Sequence, residues 1–275
     1  MKIGISILTN GNRRSYLKRC LDSLIENCYY RPLVIGIYNN GSTDDTTEWC
    51  RHLSDSYGIE YRIDGSVEDR GCAYGTNRSI EMVGDCKYQI HLESDFEHLT
   101  EKETGVDKMW LHRAIEKMEL GGCDYLYLRR MRNHEECFVH WWDIWMPKIT
   151  DCTDETLRCP DFWWSNNPSL FRKSAMFDRG VLPLDESKDG PKGTEGWSQP
   201  ELLTARPSNT WIHRWGMFIH EREKDEIFEN NGCNKDCKYG FWMKEGAPWC
   251  RFCDHTKNFS DLPNHRKRIL CAAAM

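Results

Sequence analysis

At 275 residues with 39% hydrophobic side chains, the chain can bury a substantial core as one large domain, or one domain plus an appendage, and is not disordered. A formal net charge of -6 provides no general attraction to nucleic acid and leaves only local basic clusters, LRRMRNH at 128–134 and NHRKRIL at 264–270. The opening MKIGISILTN lacks a signal-peptide layout, and no stretch reaches about 18 apolar residues, which argues against a polytopic membrane protein and predicts a soluble, cytoplasmic one.

In chain order, KIGISILT reads as a strand. NRRSYLKRCLDSLIEN follows as a helix in which Leu17, Cys20, Leu21, Leu24 and Ile25 recur at helical spacing, and RPLVIGIYNN reads as the next strand. The turn-rich NNGSTDDT then leads to a helix through TTEWCRHLSDSY, a short strand GIEYRI, a helix near GTNRSIEMV, and a strand from Lys87 to Leu92 that runs into HLESDF. Repeated strand–helix–strand units predict an α/β fold built on a parallel sheet covered by helices. Ligands of such sheets sit beyond the carboxyl ends of the strands, where Thr9 and Asn10, Asn39 and Asn40, and Glu93 and Asp95 fall. Most of the fourteen cysteines are scattered singly, as reduced core cysteines are.

Alternation along an extended strand puts Glu93 and Asp95 on the same face, where two carboxylates repel unless a cation separates them. The pair reads either as a solvated loop or as a divalent-cation site. Hard oxygen ligands of this kind suit Mg²⁺ or Mn²⁺, which keep several waters and need only one or two protein carboxylates.

The ordered set SILTNGNRRSYLKRCLDSL, YNNGSTDDT, GCAYGTNRSIE and ESD resembles the nucleotide-binding half of family 2 glycosyltransferases. The resemblance is close over residues 3–96 and looser over 160–221. It implies a GT-A (Rossmann-like), mostly parallel sheet flanked by helices over residues 1–222, with a nucleotide-binding half at 1–96 and an acceptor half at 97–222. It further implies an inverting transfer from a nucleoside-diphosphate sugar, UDP being the leading candidate, to an acceptor hydroxyl on a glycan or on a hydroxymethylated base of phage-type DNA. By the same resemblance Asn39 stands where an aspartate is usual, Gly75 and Asn77 belong to the segment beneath the nucleotide, and Glu93-x-Asp95 replaces the Asp-x-Asp metal motif. Arg13, Asp69 and Arg70 are candidate phosphate or nucleotide neighbours, with surface charge as the competing reading. In the second half, His220 ends the apolar run of WGMFIHERE, where related enzymes often complete the metal or diphosphate site, and Glu195 in GTEGWSQPELL matches the acid that deprotonates the acceptor. Glu201 competes for that role but closes a Ser-x-x-Glu capping box with Ser198. Trp163, Trp164 and Trp197 are candidates for a sugar-stacking platform or for core packing.

Residues 223–275 form a small Cys-rich extension. Cys233 and Cys237 are separated by three residues and Cys250 and Cys253 by two, with twelve between the pairs, a layout that suits a structural Zn²⁺ site closed by four thiolates. Two other classes compete. A sugar nucleotidyltransferase would carry a glycine-rich phosphate loop after the first strand, where this chain has LTNGNRRSY. A non-catalytic, zinc-dependent nucleic-acid-binding protein would leave Glu93, Asp95 and Glu195 without a purpose.

Overall fold

The computed structural model describes residues 1–53, 58–120, 123–129, 151–152, 156–158, 167–178, 180, 182–184, 186, 210–213, 217–220, 242–244 and 247–249. Strand β1 (Ile3–Asn10) places Ile3, Ile5 and Ile7 on one face, all fully buried. Helix α1 (Arg14–Asn27) covers that face with Leu17, Cys20, Leu21 and Leu24, the positions its sequence spacing predicts. Each such fully buried aliphatic side chain contributes about 2 kcal/mol relative to exposure. Strand β2 (Leu33–Asn40) is buried along its whole length, and β3 (Ile59–Ser66) follows after helix α2 (Thr46–Arg51).

Helix α3 (Cys72–Met82) lies on the opposite face of the sheet and begins three residues before the GTNRSIEMV segment expected from sequence. It approaches β1 so closely that a Cβ on Gly75 would stand 2.6 Å from Leu8 Cδ1. Strand β4 (Tyr88–Glu93) runs beside β1, with Leu8 opposite Glu93. One expectation is corrected here. The extended conformation stops at Glu93, and Ser94 and Asp95 form a turn whose Ser94 amide donates to the Leu8 carbonyl at 2.9 Å, so strand alternation does not carry through to residue 95.

Beyond the turn come β5 (Phe96–His98), α4 (Glu101–Thr104) with a complete Thr100–Glu103 capping box, α5 (Trp110–Glu119) and β6 (Tyr125–Tyr127). The remaining elements are β7 (Asp151–Cys152), β8 (Thr156–Arg158), β9 (Ser169–Arg172), α6 (Lys173–Asp178), β10 (Thr210–His213), β11 (Phe218–His220), β12 (Trp242–Lys244) and β13 (Ala247–Trp249). The main sheet runs β3-β2-β1-β4-β9-β6-β10-β8-β7. Its first four strands are mutually parallel, whereas β9 is antiparallel to both β4 and β6, and β10 is parallel to β6. Two small antiparallel ladders, β5 with β11 and β12 with β13, stand apart from it. The second of these lies in the Cys-rich extension.

Cys20, Cys28, Cys50, Cys86 and Cys123 are buried free thiols, as their scattered spacing predicts, and burial pushes all five above the ordinary thiol range, Cys50 to about 12. Among the described residues no helix is long and apolar enough to cross a membrane.

Candidate active site

The carboxyl ends of β1, β2 and β4 meet at a cleft of about 300 Å³. Leu8, Asn10 and Arg13 line it from the end of β1 and the turn into α1, Asn40 from β2, Cys72 from the start of α3, and Glu93, Ser94 and Asp95 from β4 and its turn. His220, more than 120 positions away in sequence, completes the wall. It arrives there because β11 pairs with β5 in a register that sets His220 opposite Phe96, the residue after Asp95.

Asp95 is the electrostatic centre of this cleft. Its Oδ2 accepts from Arg13 Nη1 at 3.1 Å and lies 3.3 Å from His220 Nε2. Burial works to raise the carboxyl pKa, but the hydrogen bond and charge of His220, with the charge of Arg13, outweigh it and hold Asp95 below the usual carboxylate range. Its other oxygen, Oδ1, is buried and finds no hydrogen-bond partner among the described residues. An ionised carboxylate oxygen in that position costs free energy unless a cation or a donor meets it. The donor set therefore fits a hard divalent cation anchored on Asp95, although among the described residues no three His, Cys, Asp or Glu side chains are arranged to close around one. Glu93 reaches the same cleft, and its Oε1 lies 3.9 Å from Cys72 Sγ.

The remaining sequence candidates divide into rim and scaffold. Asn40 faces the cleft but is committed to shaping it. Its Nδ2 donates to Asp69 Oδ1 at 2.8 Å and to the Gly71 carbonyl at 3.0 Å, and its Oδ1 accepts from the Arg70 amide at 3.0 Å. Asp69 is thereby a loop staple, accepting also from the Gly71 amide at 2.9 Å. Thr9 and Asn39 are register partners and buried below the rim, where Asn39 Nδ2 donates to Thr47 Oγ1 at 2.9 Å. Gly75 serves the close packing of α3 on β1. Asn77 lies away from the cleft lining. Its Oδ1 accepts from the Leu184 amide at 2.8 Å while Nδ2 donates to the Leu184 carbonyl at 2.9 Å and to Glu186 Oε1 at 3.0 Å, a clamp on the 184–186 segment.

Glu195, Glu201, Ser198, Trp163, Trp164, Trp197, Cys233, Cys237, Cys250 and Cys253 lie outside the described residues. Sequence reasoning missed Cys72 and Ser94 as cleft-lining residues; the signal for Cys72 was its place as the first helical residue after Gly71, on the same rim as the strand ends.

A family model described as Glycosyl transferase family 2 matches residues 7–183. No curated protein matches the chain. Among solved structures, the S. aureus TarS 1–349 fragment superposes with a TM-score of 0.54 at 12% identity, covering 82% of this chain and 62% of its own length. The complex of that fragment with UDP gives 0.54 at 14% identity, covering 80% and 60%. A GalNAc-T7 structure with UDP, GalNAc and Mn²⁺ gives 0.53 at 11% identity, covering 80% and 44%. The chain thus spans less than two thirds of the length of these structures, and at such identities the likeness is one of fold. With the family model matched across well over half of the sequence and the same architecture in these structures, the chain belongs to glycosyl transferase family 2, with the GT-A fold.

Proposed function

We propose that the protein is a divalent-metal-dependent, inverting glycosyltransferase that moves a sugar from a nucleoside-diphosphate donor to an acceptor hydroxyl. The observation that carries this reading is Asp95, an ionised and largely buried carboxylate in a cleft at the strand ends, with one oxygen held by Arg13 and His220 and the other without a hydrogen-bond partner among the described residues. A bound Mn²⁺ or Mg²⁺ would supply Lewis-acid stabilisation of the charge that grows on the departing diphosphate. Asp95 is its principal ligand in this reading, Glu93 and His220 the further candidates. Arg13 and His220 bring positive or hydrogen-bonding groups to the same wall, and Asn10 lines the cleft with them. UDP is the favoured nucleotide, supported by the UDP bound in the TarS and GalNAc-T7 structures, and Mn²⁺ is supported by the latter.

Asn40, Asp69 and Gly71 hold the loop that borders the cleft from the β2 side, so their contribution to donor binding is to fix its shape. Glu195 is assigned the general base that takes the proton from the acceptor hydroxyl. Attack from the face opposite the diphosphate then inverts the anomeric configuration. Cys233, Cys237, Cys250 and Cys253 are assigned a structural zinc in the C-terminal extension, which would stabilise a short segment with little core of its own.

The test is a panel of nucleotide sugars with Mn²⁺, scoring calorimetric binding, slow hydrolysis and then transfer to glycan and hydroxymethylated-DNA acceptors. Release of the nucleoside diphosphate from one donor, dependent on metal, is the expected result. Pyrophosphate release in a parallel assay with a nucleoside triphosphate and a sugar 1-phosphate, and no nucleoside diphosphate released from any donor, would make the protein a nucleotidyltransferase, and absence of binding by every donor would overturn the reading.

A further inference from the structure

Arg13 occupies an unusual place for a cleft arginine. It is the residue preceding the first turn of α1, its side chain is 39% exposed, and its guanidinium donates to the same Asp95 oxygen that His220 approaches. Without a ligand, that oxygen is therefore already shared by two basic side chains. A divalent ion approaching Asp95 on its own meets a fixed positive charge 3.1 Å from the carboxylate oxygen and must either displace it or coordinate beside it against Coulomb repulsion. A nucleoside diphosphate changes that balance. Its oxygens offer the guanidinium a planar, bidentate partner that a single carboxylate oxygen does not, and arginine suits phosphate oxygens for this reason. Arg13 already lines the cleft, and the half-exposed side chain has room to move.

We propose that Arg13 is a surrogate cation on Asp95 that transfers to the donor diphosphate when the metal–nucleotide complex binds, so that metal and nucleotide enter together and bare metal is disfavoured. The inference rests on the metal-dependent transferase reading above and deepens it by giving one residue two opposite effects. Removing the guanidinium should strengthen the binding of metal alone and weaken the binding of nucleotide in the presence of metal. A residue that merely supported the fold would weaken both, and a simple phosphate ligand would leave bare metal untouched.

The experiment titrates the purified full chain with Mn²⁺ alone, following free Mn²⁺ by electron paramagnetic resonance, and then with UDP and GDP at saturating Mn²⁺ by calorimetry. Arg13→Gln should bind Mn²⁺ alone about twofold to fivefold tighter than wild type, the range expected for loss of a competing, part-exposed ion pair. The same variant should bind the preferred nucleotide at least about tenfold more weakly, as loss of a charge-assisted phosphate contact implies. Arg13→Lys, which keeps the charge, should hold bare Mn²⁺ near the wild-type affinity and lose only part of the nucleotide affinity. Unchanged or weaker bare-metal binding in Arg13→Gln overturns the proposal while Mn²⁺-dependent nucleotide binding by wild type leaves the transferase reading standing. If wild type binds neither nucleotide with Mn²⁺, both fall.

Discussion

Gly41, in the NNGST turn that leaves β2, offers a quantitative test of how the cleft is shaped. It has a φ of +73°, and a Cβ there would stand 2.7 Å from Asp69 Cα and Cβ and 2.8 Å from the Asp69 amide nitrogen. Gly41→Ala therefore carries two penalties, about 1–2 kcal/mol for an L-residue in the left-handed region and about 1–3 kcal/mol for a contact that backbone must move to relieve. Gly11, with a φ of +56° and nothing within 4 Å of a built Cβ, is the matched control that carries only the first. Urea unfolding should show Gly11→Ala losing about 1–2 kcal/mol and Gly41→Ala about 2–5 kcal/mol, the difference measuring the clash. Asp69 also holds Asn40, so the displaced loop should cost Gly41→Ala nucleotide affinity as well. Equal losses in the two variants would refute the close approach of the turn to the 69–71 loop.

Asp95→Asn should abolish Mn²⁺-dependent nucleotide binding with unfolding unchanged in cooperativity, and full transfer activity in that variant with chelator present would contradict the metal assignment. His98 and His91 are buried with pKa values pushed down to about 4 and about 3, and below the unfolded value near 6.5 only the unfolded chain gains these protons, so each should lower stability by up to about 1.4 kcal/mol per pH unit as pH drops from 6.5 towards 4; in melts taken between those limits a His98→Gln variant should lack the His98 share, about half of the slope from the pair. Elemental analysis should find about one zinc per chain, reduced by Cys250→Ser. Glu195→Gln should lower turnover by about 10²–10⁴-fold with donor and metal binding intact, whereas Glu201→Gln should act mainly on stability; wild-type turnover in the first, or a product that retains the donor's configuration, would remove Glu195 from the role of base.

Much of the structure of residues 1–96 was readable because its signals are local. Ile3, Ile5 and Ile7 alternate along one strand, Leu17, Leu21 and Leu24 share one helix face, and polar pairs mark the strand ends, so α/β order and the position of the rim follow from neighbours in sequence. What local pattern could not supply was the partner of each polar side chain. Asn40 and Asn77 look alike as motif asparagines, yet one folds the cleft loop and the other grips a carbonyl and an amide 107 residues later. The alternation rule failed at Asp95 for a related reason. A strand-end turn sewn to the Leu8 carbonyl overrides the strand period, and Asp95 reaches the cleft from the turn instead.

The approach of His220 to Asp95 depends on a different piece of structure, the three-residue ladder between β5 and β11. A slip of one residue in so short a ladder would turn His220 to the other face and remove it from Asp95. The core beneath resists that slip. Phe218 meets His98 edge-on with ring centroids 4.8 Å apart, and the His98 ring is locked in one tautomer because the Leu99 carbonyl can only accept from Nδ1 and the Trp110 indole can only donate to Nε2. Protonating His98 would leave the Trp110 N–H without its acceptor at the point where β11 is held. The acid sensitivity expected of His98 should accordingly reach the cleft once the folded protein itself takes up the proton, near the folded pKa of about 4: between pH 5 and 4, nucleotide affinity should fall more steeply in wild type than in His98→Gln, which cannot gain the proton. Identical pH profiles for nucleotide binding in the two proteins would mean that the β5–β11 register is held by something other than this buried histidine.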